Sequence, residues 1–304
     1  MSVHSPTHSR QRLGLPPAVW VLAVALVAAS SSPAAAQPTA ATAGPAFAAA
    51  LPLVDAHVHY SAAAWSQFPA HEVLGKLEAA GVRLALVSSS PDDGTLTLYG
   101  LDARRILPVL RPYREGVTSG NWMHDQATLA YLRERLARGI YGGLGEVHLG
   151  TAEEADTPVV RGVAALAAQR GLLLHVHADA PPIQAIFDHT PGVRILWGHA
   201  GMVTPPERVR AMLERHPRLW AELSFRESEV AAEPEGAAWR ALLTDHADRF
   251  LVGSDTYANG RWAAYDGIIS GHRRYLAQLP PEVARAIAYG NAVRLVGDHG
   301  VKFP

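Results

Sequence analysis

From Leu51 onward, short apolar runs alternate with stretches whose apolar residues recur at helical spacing. The runs predict strands over 51–59, 82–89, 106–112, 141–148, 172–178, 193–199, 219–225 and 250–255. The stretches between them predict helices over 69–80, 121–138, 158–170, 181–189, 205–215, 237–247 and 260–278, with a last helix over 281–295. Only the link 90–105 lacks a clear long helix. Pro158, Pro181-Pro182 and Pro205-Pro206 stand where helices open, and Gly139, Gly171 and Gly192 where they close. Eight strands with intervening helices read as a single (β/α)8 barrel of the TIM type, in the α/β class. A doubly wound open sheet is the alternative. It requires a glycine-rich phosphate loop after the first strand, and none is there.

The first 36 residues depart from this pattern. Arg10 and Arg12 precede an apolar segment over 18–29, too short to span a bilayer, and Ala34-Ala35-Ala36 offers a cleavage site. Residues 1–36 therefore read as a cleaved secretory signal, with no stable membrane anchor, and the protein as periplasmic or secreted. Residues 37–50, rich in Ala, Pro and Thr, read as a flexible leader, and 51–304 as the barrel. Arg10 and Arg12 are not adjacent, so export in the unfolded state is expected, with metal loading outside the cytoplasm. Removing residues 1–36 takes the formal charge from −1 to −3. That mild charge, without a basic run, argues against a nucleic-acid surface. There is no cysteine, hence no disulfide and no thiolate ligand.

The candidate chemistry sits at the ends of the predicted strands. Asp55-Ala56-His57-Val58-His59 closes the first, and alternation along a strand puts both imidazoles on one face, a pair suited to zinc. The fourth ends with Glu146 and His148, the fifth with His175 and His177, the sixth with His199 and the eighth with Asp255. In a barrel these ends converge on one face. Plainer readings exist for each alone: packed or solvated histidines, a helix cap at Asp255, an arginine partner for Glu146. The roles of His148 and His175 stay open, and Asp55 reads as a backbone-holding residue or a weaker catalytic one.

Asp55-x-His57-x-His59, His177, Trp197-Gly198-His199-Ala200-Gly201, Gly253-Ser254-Asp255 and Gly290-Asn291-Ala292-x-Arg294-Leu295 together resemble the amidohydrolase superfamily. The likeness spans about Leu51 to Gly297. It is greatest to the branch that includes aminocarboxymuconate-semialdehyde decarboxylase and pyrone-dicarboxylate lactonase. The resemblance implies a metal-dependent barrel with His57, His59, His177 and Asp255 as ligands and His199 orienting substrate and water. Many members bridge two metals with a carboxylated lysine on the fourth strand. The only lysines here are Lys76 and Lys302, which excludes that bridge. Glu146 instead resembles the glutamate of TatD-like members. One divalent ion, zinc by preference, is expected, with two ions bridged by Glu146 as the alternative.

On this reading Asp255 is both ligand and general base, and His199 stabilises charge at the attacked carbonyl or holds the water. Arg111, Tyr113, Arg226, Tyr257, Arg261 and Trp262 are candidate substrate contacts, the arginines favouring a small carboxylated molecule. Trp65 and Trp122 could roof the pocket. The expected activity is hydrolysis of an amide, ester or lactone by metal-activated water. Non-oxidative decarboxylation is the runner-up and a non-catalytic metal- or ligand-binding envelope protein the third reading; a TatD-like nuclease fits the charge poorly. A homo-oligomer is left open.

Overall fold

Eight parallel strands, β1 (Leu53–Val58), β2 (Val82–Val87), β3 (Ile106–Leu110), β4 (Gly143–His148), β5 (Leu173–His177), β6 (Arg194–Trp197), β7 (Leu219–Glu222) and β8 (Phe250–Leu251), form one sheet in chain order. The structure is a computed structural model that describes Met1 and residues 41–304. The signal segment and leader residues 37–40 otherwise lie outside the described residues. A parallel bridge between Asp55 and Val252, with Ala56 N–H donating to Val252 O at 2.8 Å, joins β8 back to β1. This is the expected TIM barrel. Every β1 residue is buried, as it must be where helices cover the outer face and side chains fill the interior.

The helices follow local chemistry. Pro158–Arg170 opens on Thr157, whose hydroxyl accepts from Val160 N–H, and ends on Gly171 at φ 64. Its buried face is Val159, Val160, Val163, Ala164 and Ala167. Three helical stretches differ from expectation. The link 90–105 does contain a helix, Asp93–Leu101. Its two glycines and two threonines are weak helix formers, so tertiary burial of Thr95 and Leu98 sustains it. The predicted helix 121–138 is a short turn, Trp122–His124, followed by Thr128–Leu136. Asp125 sits between them, its carboxylate accepting from Thr128 Oγ1 and Arg114. The helix 260–278 is divided at Ala264.

The end of the presumed leader is built into the barrel. Pro45–Ala50 is helical with Ala48 buried. Ala43 and Gly44 donate backbone hydrogen bonds to Leu279 and Ala277 at 2.7 and 2.9 Å, and Arg273 donates to the carbonyls of Ala48 and Leu51. Near the other end of the chain, Asn291 donates to Phe250 O and Ala247 O, securing the two-residue β8. Several strands stop one to four residues before their predicted ends. His59, His199 and Asp255 therefore stand on the loops just past them, where a barrel displays function.

Candidate metal centre

His57 and His59 come off the end of β1 with their Nε2 atoms 3.0 Å apart. What lies behind each ring fixes which nitrogen carries the proton. His57 Nδ1 is 3.0 Å from the carboxylate of Glu222 and His59 Nδ1 faces the carbonyl of Ser88, which can only accept. Both Nδ1 atoms are thus donors, and both Nε2 lone pairs aim at one point. Glu146 Oε2 reaches the same point, 3.2 Å from His59 Nε2 and 3.4 Å from His57 Nε2. Asp255 Oδ1 is 3.1 and 3.4 Å from them. It is buried and, among the described residues, has no hydrogen-bond donor. Two imidazole nitrogens and two carboxylate oxygens converging on one point are what a divalent cation satisfies, so the residues fit a metal.

A second group forms around the other oxygen of Glu146. Oε1 lies 3.1 Å from His177 Nδ1 and 3.5 Å from His199 Nε2, and these nitrogens are 3.0 Å apart. His199 Nδ1 is 2.7 Å from Ser224 Oγ, whose own proton goes to Glu222 at 3.0 Å, the stronger acceptor because it is anionic. His199 Nε2 therefore also offers a lone pair. The candidate donors thus fall into two groups that share Glu146. His57, His59 and Asp255 gather with Glu146, while His177 gathers with Glu146 and His199.

Charge explains why a cation belongs here. Glu146, Glu222 and Asp255 are buried within this space, and Arg111, donating to Glu146 Oε2 at 3.3 Å, is the cationic side chain bonded to it. Burial opposes ionisation of all three acids, but His57 and the neighbouring donors outweigh it: Asp255 is held at about 2, and Glu146 and Glu222 well below the usual range. Burial likewise disfavours the His57 imidazolium, yet Asp255, Glu146 and Glu222 raise it well above the ordinary imidazole value. With His57 neutral, as a metal ligand must be, three carboxylates against one guanidinium leave two negative charges for a dication to balance in place of the proton that His57 otherwise takes up.

Glu222 is a residue of the site that sequence reasoning missed. It accepts from His57 Nδ1, His199 N, Ser224 N and Ser224 Oγ. The available clue was its place at the end of Leu219-Trp220-Ala221-Glu222, the same pattern as the other strand ends. Gly253 lets it in: a Cβ there would lie 2.0 Å from Glu222 Oε2. Asp55 holds backbone, accepting from Ser254 N and His57 N and from Tyr265 OH. Its neighbour strand is fixed further by Asp255 N donating to His57 O at 2.6 Å.

His148 stacks on His177 with centroids 4.3 Å apart, and its Nδ1 accepts from Tyr113 OH at 2.8 Å. Burial lowers it to about 4, so the ring is neutral. His175 lies beneath His57, edge to face at 4.3 Å, and joins neither donor group.

A cavity of about 900 Å³ opens over the donors, and Arg111, Tyr113 and Tyr257 line it. Arg226, Arg261 and Trp262, the other candidate substrate contacts, are not among its lining residues. Arg226 spends its donors on His199 O, Gly201 O, Thr204 O and Glu229. Arg261 donates to Ser254 O and Asp255 O, and the buried Trp262 donates to His59 O at 3.0 Å. All three shape the site from behind. Trp122 is also buried, donating to His148 O, and Trp65 donates to Tyr60 O outside the cavity lining.

Comparison with known proteins places the fold and the family. Similar solved structures include an amidohydrolase from Burkholderia multivorans with bound zinc (TM-score 0.54, 18% identity, covering 83% of this chain and 100% of that one). A protein from Pseudomonas putida described as a 2-pyrone-4,6-dicarboxylic acid hydrolase gives 0.58 and 18%, covering 83% and 99%. A TatD homologue from Escherichia coli gives 0.55 and 14%, covering 80% and 97%. At these identities the likeness is one of fold. No curated protein matches the chain. The sequence model of the family described as Amidohydrolase, however, matches residues 54–297, from the strand that carries the two histidines to the end of the last helix. This chain therefore belongs to the amidohydrolase family.

Proposed function

We propose that this protein is an exported, zinc-dependent hydrolase that cleaves an amide, ester or lactone bond of a small molecule. The convergence of His57 Nε2, His59 Nε2, Glu146 Oε2 and Asp255 Oδ1 on one point carries the reading. A divalent metal held there supplies Lewis acidity and lowers the pKa of water. The chain's own residues do the rest. Asp255, ionised at neutral pH, accepts the proton of the attacking water. His199, with its Nε2 lone pair turned toward the donors, orients that water. Glu222 holds His57 and the His199 backbone in place. A carboxylated substrate now rests on Arg111 and Arg114 at the cavity wall, since Arg226 and Arg261 face away from it.

One ion is favoured, because a single dication balances the buried charge. The second donor group, His177, His199 and Glu146 Oε1, supports a two-ion reading with Glu146 as the bridge. Metal analysis of the purified protein beside Glu146→Ala and His177→Ala decides the count. One equivalent in wild type and in His177→Ala supports the single ion; two in wild type and one in His177→Ala supports the bridge. Turnover of a panel of esters, lactones and amides in 18O-labelled water tests the reaction. Hydrolysis places solvent oxygen in the product. Release of carbon dioxide would replace it with decarboxylation, and metal retention without turnover of any substrate would leave a binding protein.

A further inference from the structure

Phe225 has a backbone conformation that nothing in folding asks of a phenylalanine. It lies just past the end of β7 at φ 65, in the left-handed region where a bulky side chain is strained and glycine is free. The residue is 38% exposed, which forgoes part of the burial that could offset that strain. Strain retained in this way marks a position held for what the side chain does.

The surroundings indicate what that is. Phe225 lines the cavity, its ring centroid 5.5 Å from that of His199. Behind it stands the Arg261 guanidinium, 3.9 Å from the ring centroid and itself anchored on the Asp255 backbone. The ring is thus braced against the loop that carries Asp255. Tyr257, 61% exposed, stands 6.3 Å away at a tilt of 42°, and Met202, 41% exposed, adds a third apolar side chain to the same lining. Two rings at that separation and tilt, with a thioether side chain in the same lining, leave an open apolar face beside the donors. Such a face accepts a flat π-system by offset or edge contact.

We propose that Phe225, Tyr257 and Met202 form a subsite for a planar aromatic or unsaturated ring carried by the substrate next to its reacting carbonyl. The proposal rests on the hydrolase reading for the carbonyl but not for the ring, and binding tests it separately from turnover. The experiment uses the full purified protein and two probes, phenylphosphonate and methylphosphonate, titrated calorimetrically into wild type, Phe225→Gly and Tyr257→Ala. Glycine takes φ 65 without strain, so Phe225→Gly removes the ring and keeps the backbone; its melting temperature should equal or exceed that of wild type. Wild type should bind phenylphosphonate about tenfold more tightly than methylphosphonate. Phe225→Gly should reduce that preference to threefold or less, and Tyr257→Ala should reduce it in part, with methylphosphonate affinity unchanged. Equal affinity for the two probes in wild type, failure of phenylphosphonate to bind, or a preference that survives Phe225→Gly would overturn the proposal. A preference that Phe225→Gly abolishes, in a protein that hydrolyses nothing, would uphold the subsite and reject the reaction.

Discussion

Glu222→Gln is the sharpest test of how this centre is held, because it changes charge without changing shape. Three donors meet Oε1 of Glu222: His57 Nδ1 at 3.0 Å, His199 N and Ser224 Oγ at 3.0 Å. One meets Oε2, Ser224 N at 2.8 Å. A glutamine amide has a single acceptor atom. Its best placement keeps oxygen at the crowded position and turns the NH2 onto Ser224 N–H, leaving a buried donor unsatisfied at a cost of about 1–3 kcal/mol. The remaining bonds fall from charge-assisted to neutral, losing about 1 kcal/mol each. Removing one of three crowded carboxylates offsets part of this in the metal-free protein, where their mutual repulsion is unrelieved. In the loaded protein the offset vanishes. The expected outcome is a metal affinity lower by about 10–100-fold, as for the loss of a partner behind a metal ligand. The rise in melting temperature on adding zinc should shrink accordingly, since a hundredfold weaker ion forfeits about 2.7 kcal/mol of linked stability. Chelator competition gives the affinity and calorimetric melts with and without zinc give the linkage. A variant that binds zinc within about threefold of wild type, with an unchanged melting shift, would show that Glu222 does not set the His57 donor.

Other expectations follow from the same geometry. Asp255→Asn should lower kcat by about 10²–10⁴-fold, read in steady-state kinetics with metal supplied in excess, because the amide accepts no proton. Gly253→Ala should destabilise the fold by about 1–3 kcal/mol in a denaturant melt, since its Cβ would lie 2.0 Å from Glu222 Oε2. Arg226→Lys keeps the charge but cannot reach His199 O, Gly201 O and Thr204 O together, so kcat should fall with little change in metal content. His272 is buried, donates to Gly253 O at 2.8 Å, and is held neutral because burial lowers its pKa. The unfolded chain binds the extra proton first, at about pH 6.5, so stability should decline as pH falls from there through the folded value. His272→Gln should flatten that slope in melts between pH 7 and 5.

The barrel was legible because each of its strands is a short apolar run and each junction carries its own punctuation. The gathering of His57, His59, Glu146, His177, His199 and Asp255 was legible because all stand at the same end of successive strands. What escaped is instructive in physical terms. Asp93–Leu101 has no helical composition to announce it and depends on what it packs against. Ala43 to Ala50 looks like a linker, yet its backbone is stitched to residues 277 and 279, far away in sequence. Arg226, Arg261 and Trp262 follow strand ends as substrate contacts should. Nothing in their order in the chain reveals that their donors turn inward to backbone carbonyls. Strand-end position tells where a residue emerges, and side-chain direction decides whether it meets ligand or scaffold.

That distinction bears on how the site is charged. The arginines that the sequence offers for a substrate carboxylate are largely consumed in holding loops: Arg226 under His199 and Arg261 under Asp255. Both residues above them have left-handed backbone, His199 at φ 58 and Asp255 at φ 46, so each guanidinium clamps a strained loop by its carbonyls. Fixed in this way, His199 and Asp255 face one another across Glu146, with Asp255 Oδ2 4.0 Å from His199 Nε2. Asp255 and His199, proposed above as proton acceptor and water-orienting residue, thus owe their positions to cations behind the wall. In front, Arg111 meets one of the three carboxylates, and the remaining negative charge is what a bound metal would neutralise. A substitution that reverses either arginine should therefore damage catalysis more than it damages metal binding.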